Sequence, residues 1–175
     1  VFKGIVGIGV DPGDATTDVD DIFVSYKTEQ GRVADAQVTI GAGVTGESAP
    51  AFASIRQSGG KIWNYSTQAV TILDVADGEY HQMAGTWATA RFFGASKVFP
   101  RGTGTNATTT LWGTSKVNHL DLQARTYTTL ILHSGTTWWD KQFRNTYSSP
   151  IQLPDGLHSV NMDLGADIDM AITAI

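Results

Sequence analysis

The chain reads as all-β, an antiparallel two-sheet β-sandwich of jelly-roll type in which residues 1–175 form a single domain. Three observations lead there. Small or apolar residues alternate strictly with polar ones in several stretches, which is the period of a strand with one buried and one wet face. The composition, with 19 glycines, abundant threonine and only 17% charged residues, favours strands and tight turns over helices. Turn signals such as Asp77-Gly78 and Ser134-Gly135 separate the apolar runs, and helical periodicity is convincing nowhere.

The alternation is longest at the end of the chain. Val160, Met162, Leu164, Ala166, Ile168, Met170, Ile172 and Ala174 share one parity, while Asn161, Asp163, Asp167, Asp169 and Thr173 lie between them. A helix would scatter those apolar residues round its circumference, so this segment is expected to be a strand on which the core closes. Gly165 is a point where a bulge or bend could divide it.

From the start, residues 1–10 read as an opening strand, followed by the acidic loop 11–21. Ile22, Val24 and Tyr26 then share a face, and so do Ala34, Ala36, Val38 and Ile40. Residues 49–57 are the one place where a short helical turn is expected, ended by Gly59-Gly60. Residues 61–65, 69–75, 79–83 and 86–93 read as successive strands, with Asp77-Gly78 as a hairpin turn, since glycine accepts a positive φ there. The polar stretch 101–110 holds no core-forming residue and is expected to be an exposed, mobile loop. Residues 111–113 and 117–122 resume strand character. Leu130-Ile131-Leu132 suits a strand buried on both faces. No internal repeat stands out.

The bulk numbers exclude several function classes. At 41% hydrophobic residues the chain is too apolar for disorder. A net charge of −5 with only 12 Lys and Arg argues against nucleic acid, whose phosphates need clustered cations. No apolar run is long enough to insert in a membrane. The absence of cysteine removes disulfides and thiolate metal sites. Beginning at Val1 with no signal-peptide pattern, the chain is expected to be a fragment of a longer one.

Four groups of residues could carry chemistry. Trp138, Trp139, Arg144 and Tyr147 form a candidate ligand-binding cluster, because aromatic faces and guanidinium groups anchor sugars and protein partners. Adjacent tryptophans on a strand point to opposite faces, so one of the two is core; the order of residues leaves open which. Asp11, Asp14, Asp18 and Asp20 could supply oxygens to Ca²⁺, although their spacing is not that of an EF-hand, and a solvated acidic turn is the competing reading. Asp163, Asp167 and Asp169 resemble the alternating acids of concanavalin-like jelly-roll glycosidases. The flanking glutamates of that motif are missing, and Glu29, Glu47 and Glu79 lie far away. A retaining mechanism needs two carboxyls about 5 Å apart, so a solvated face is the better reading. His81, His119, His133 and His158 fall in no ligand spacing.

The segment Leu73-Asp74-Val75-Ala76-Asp77-Gly78-Glu79-Tyr80 resembles the opening of the knob modules of phage tail fibres and pyocins. Residues 127–139 are similar to their strand–turn–tryptophan ending. The resemblance implies a homotrimeric receptor-binding domain on a virion surface. The expected function is therefore a non-enzymatic head that recognises a host-surface glycan or receptor and assembles as a trimer, at the virion surface or otherwise extracellular. The alternatives are a free-standing lectin or carbohydrate-binding module, with or without Ca²⁺, and a jelly-roll glycoside hydrolase. No other cofactor is expected.

Overall fold

Local alternation is realised where the residues ask for it. In the strand Asp21–Ser25, Ile22 and Val24 are buried while Asp21, Phe23 and Ser25 are exposed, and in Gln37–Ile40 the buried pair is Val38 and Ile40. Alternation does not say which strand lies alongside which, and there the structure departs from the sandwich. The computed structural model describes residues 5–9, 17–25, 37–45, 51–119, 123–140, 145–156, 160–164 and 172–174. Among them every strand pair is parallel. The antiparallel two-sheet jelly roll is thereby overturned: the chain winds as a parallel β-solenoid.

Two rows of strands run along the solenoid. In one, Asp21–Ser25 lies beside the first half of Ala51–Asn64, which lies beside the first half of Ala69–Gln82, followed by Trp87–Phe92, Gly104–Leu111, Arg125–Leu132, Ile151–Leu153 and Ile172–Ala174. In the other, Ile5–Ile8, Gln37–Ile40, the second halves of the same two long strands, Lys97–Pro100, Lys116–Asn118, Thr137–Trp139 and Asn161–Asp163 follow one another. Paired residues between 51 and 153 are separated by one turn of 17 to 21 residues, as in Ile55 with Leu73, Val70 with Trp87 and Thr108 with Thr129. Equivalent side chains therefore stack into the interior. One column is Ile22, Ile55, Leu73, Ala90, Thr109 and Leu130; another is Val38, Ile62, Tyr80, Val98, Val117 and Trp138.

Several expectations change for reasons this winding makes plain. Asp77-Gly78 is a corner between the two rows rather than a hairpin: residues before it pair with Trp87–Phe92 and residues after it with Lys97–Pro100. Gly78 is needed there, with φ +88° and a position where a Cβ would run into the Gly60 carbonyl oxygen. Residues 51–57 are strand, not helix, because they are paired on both edges by Asp21–Ser25 and Ala69–Gln82. The stretch expected to be a mobile loop contains the strand Gly104–Leu111. Its Asn106 and Thr109 are fully buried, and Thr109 Oγ1 accepts the Trp87 indole N–H at 2.8 Å. The Asn106 carboxamide oxygen likewise accepts the Trp87 backbone N–H at 3.2 Å, so the neighbouring turn meets part of the hydrogen-bonding need of this polar interior. The long terminal strand is present as two short ones, Asn161–Asp163 and Ile172–Ala174, in different rows. Residues 165–171, with Asp167 and Asp169, lie outside the described residues. Among the described residues no helix is long and apolar enough to cross a membrane.

Candidate functional site

The solenoid divides the expected aromatic cluster between its interior and its surface. Trp138 points inward and is fully buried, edge-on to Tyr127 at 4.9 Å. Its indole N–H donates to the Tyr147 hydroxyl at 2.9 Å, and that hydroxyl donates to Asp140 Oδ2 at 3.1 Å. Burial first, and then the Asp140 charge, push the Tyr147 phenol well above its ordinary pKa, so it stays a neutral donor. Trp138 is thus a core residue, and Tyr147 is a partly buried one packed against that core. Trp139 faces the other way, partly exposed, in register with Asn118 and Asp163. Arg144 lies outside the described residues.

His119 belongs to the same interior group. Its Nδ1 lies 2.9 Å from the Trp139 carbonyl oxygen, which can only accept, so Nδ1 carries the proton. Nε2, 2.7 Å from the Tyr127 hydroxyl, is then the acceptor. Burial is the main reason its pKa falls to about 4, with the Trp139 carbonyl and Asp140 opposing the fall and Arg125 adding to it. The other described histidines are apart from it. His81 is stacked between Trp63 and Phe99, at 5.0 and 4.6 Å, and His133 stacks on Trp112 with Nδ1 3.2 Å from Asp155. His158, Asp11 and Asp14 lie outside the described residues. Asp18 is in the short strand Thr17–Asp18, and the Asp20 carbonyl accepts the Ala53 and Ser54 N–H groups. Among the described residues no three His, Asp or Glu side chains converge as a metal site.

The outer surface offers two aromatic arrays. Trp63, His81 and Phe99 form a ladder on one row, beside Lys61, Glu79 and Lys97. Glu79 lies 3.1 Å from Lys61 and 3.6 Å from Lys97. Burial would raise its pKa, but the Lys61 hydrogen bond and both ammonium charges outweigh that and lower it. In this ladder His81 is covered on both faces, within 10° and 14° of parallel, and Thr39 is the next residue along the row from Trp63. The ladder reads as packing between turns.

The second array ends differently. Trp112 covers one face of Phe93 at 4.9 Å and 7°, and the next residue along the solenoid from Phe93 is the small Ala76. Here a groove of about 220 Å³ opens, with Phe93 at one end and Phe23 at the other. Three inter-strand steps of about 4.8 Å separate their strands and Phe93 lies two residues beyond the rung of Phe23, Arg56, Asp74 and Arg91, so the two aromatic ends stand roughly 16 Å apart. Phe23 is 65% exposed, more than any other large hydrophobic residue among those described. Between them lie Arg56 and Asp74. Arg91 grips Asp74 with two hydrogen bonds of 2.7 Å each, which holds the Arg91 guanidinium still more firmly in its charged form. The Arg56 guanidinium lies 5.5 Å over the Phe23 ring, with Nε only 3.9 Å from Asp74.

None of these groove residues stood out in the sequence. The signal was present in weak form. Phe23 sits at a polar parity between Ile22 and Val24, and Phe93 follows Phe92, so one of each set must face outward. What assembles them is the winding, which brings residues 23, 56, 74 and 93 from four turns onto one surface. Comparison with known proteins adds no family to this geometry: no family model, curated protein or solved structure matches the chain.

Proposed function

We propose that this chain is a non-enzymatic virion-surface or tail-fibre domain that recognises a host-surface glycan and assembles as a homo-oligomer. The observation that carries the reading is the groove between Phe23 and Phe93. Sugar rings present an apolar C–H face and a rim of hydroxyls. An open aromatic face beside fixed guanidinium and carboxylate groups complements both. A shallow, elongated seat on a rigid sheet suits one or two units of a longer saccharide chain better than a free small molecule. The parallel β-solenoid supplies that rigidity for Arg56 and Asp74, whose strands are hydrogen-bonded on both sides, while Phe23 stands on a strand paired on one side and Phe93 directly follows Trp87–Phe92.

Screening the protein on a glycan array, followed by calorimetry on the hits, tests this directly. Phe93→Ala should weaken the best hit by about tenfold, the worth of an aromatic stacking contact. Trp63→Ala, on the other row, should leave affinity unchanged. No saccharide bound, or equal loss from both variants, would remove the groove reading. Light scattering behind a sizing column tests assembly: a mass three times 18.7 kDa is expected for a trimer, and a monomer would refute it.

A further inference from the structure

We infer, building on the glycan-binding reading above, that the groove selects acidic saccharides, with Arg56 receiving a carboxylate or sulfate. The argument is one of charge accounting within the groove. Asp74 is already committed to Arg91, whose two nitrogens take both of its oxygens at 2.7 Å. Arg56 reaches the same carboxylate only at 3.9 Å through one nitrogen, too long for a hydrogen bond. Its side chain is half exposed, and its guanidinium is laid against Phe23 rather than buried in an ion pair. The neighbouring carboxylates are directed elsewhere: Asp21 accepts from the Ser54 hydroxyl, and Asp77 accepts the Ala95 N–H at 3.3 Å. Arg91, beside the lining, thus already answers the Asp74 charge, and among the described lining residues Arg56 and Asp74 are the charged ones, the rest, such as Ser58, Ala76 and Phe93, being uncharged.

With Asp74 answered by Arg91, Arg56 stands as a local positive site in the groove, on a chain whose net charge is −5. A cation held on an aromatic ring, with its fork open to solvent, is pre-positioned for bidentate capture of an oxyanion. A neutral sugar would leave that capacity to water, whereas an acidic sugar placed on the Phe93 face would use it. Specificity then comes from Arg56 and general sugar affinity from the aromatic ends.

The test compares matched pairs on the array, sialylated and uronate-bearing glycans against their neutral counterparts, with wild type, Arg56→Gln, Phe93→Ala and Lys97→Gln. Wild type should prefer the acidic member by about tenfold or more at low salt, the usual worth of a charge-assisted hydrogen bond, and less at high salt. Arg56→Gln should erase the preference while keeping residual binding to the neutral member, and Lys97→Gln should change nothing. Equal affinity of wild type for both members overturns the inference, as does an unchanged preference in Arg56→Gln. If Phe93→Ala abolishes binding while Arg56→Gln does not alter selectivity, the groove stands and only the acidic preference fails. If no glycan binds, or Phe93→Ala leaves binding intact, the parent reading falls and takes this one with it. Thermal melts confirm that each variant is folded.

Discussion

Lowering the pH from 7 to 4 should cost this protein about 3 kcal/mol of stability through His119 alone. In the unfolded chain an imidazole titrates near 6.5, whereas burial holds His119 neutral in the fold down to about pH 4. Protonating Nε2 would set it donor against donor with the Tyr127 hydroxyl, which now gives it a hydrogen bond at 2.7 Å. Between those two pKa values the unfolded state binds a proton that the folded state refuses, so stability falls as pH falls through the window and levels off below it. About 2.5 pH units at 1.36 kcal/mol each give the magnitude. Aspartates and glutamates titrate in the same range, so the measurement is a difference. Urea unfolding at pH 7 and pH 4 is compared between wild type and His119→Gln, which keeps a side chain able to accept from Tyr127 but does not titrate. The wild type should lose about 3 kcal/mol more than the variant. Imidazole NMR shifts supply the independent check, with His119 still neutral at pH 5 in the folded protein. A His119 that titrates near 6.5 with the tertiary spectrum intact would refute the buried-acceptor assignment.

Two further outcomes follow from the stacked interior and its corners. Leu73→Ala empties a fully buried position between Ile55 and Ala90 and should destabilise by about 2–5 kcal/mol, read from denaturant midpoints; a change under 1 kcal/mol would mean that the column is not close-packed. Gly78→Ala and Gly156→Ala both place a side chain at positive φ, +88° and +85°, but only the first meets a neighbouring carbonyl, that of Gly60. Gly156→Ala should cost about 1 kcal/mol and Gly78→Ala clearly more, and equal melting temperatures would contradict the corner geometry.

Much of the local structure was legible in the residues. Period-two alternation correctly placed Ile22 and Val24, and Val38 and Ile40, on buried faces. It likewise required Trp138 and Trp139 to part company. Because Lys116–Asn118 and Thr137–Trp139 pair in register, Trp138 follows the inward column of Val117 and Trp139 the outward one of Asn118. That choice depends on which strand is the neighbour, a fact no single strand carries.

The fold class failed at the same point. Antiparallel and parallel neighbours demand the same alternation along each strand, so the sandwich and the solenoid are indistinguishable strand by strand. The distinction lay in spacing. Positive-φ glycines at 60, 78, 94, 113, 135 and 156 recur 16 to 22 residues apart, about one turn each, but the drift in that interval hides the repeat from a search for a fixed period. The polar stretch around Asn106 and Thr109 misled for a related reason, since a solenoid interior can satisfy polar side chains against the turns above and below.

What the amino-acid order determined by itself was that this chain is all-β, where a few strands such as Trp87–Phe92 lie, and which faces of several strands are apolar. Those properties follow from backbone sterics and side-chain polarity within a few residues. Only the tertiary structure decided the parallel winding, the burial of Trp138 with Tyr147 packed against it, and the gathering of Phe23, Arg56, Asp74 and Phe93 into one groove. Each of these is a contact between residues at least one solenoid turn or one corner apart, set by pairing register rather than by local preference.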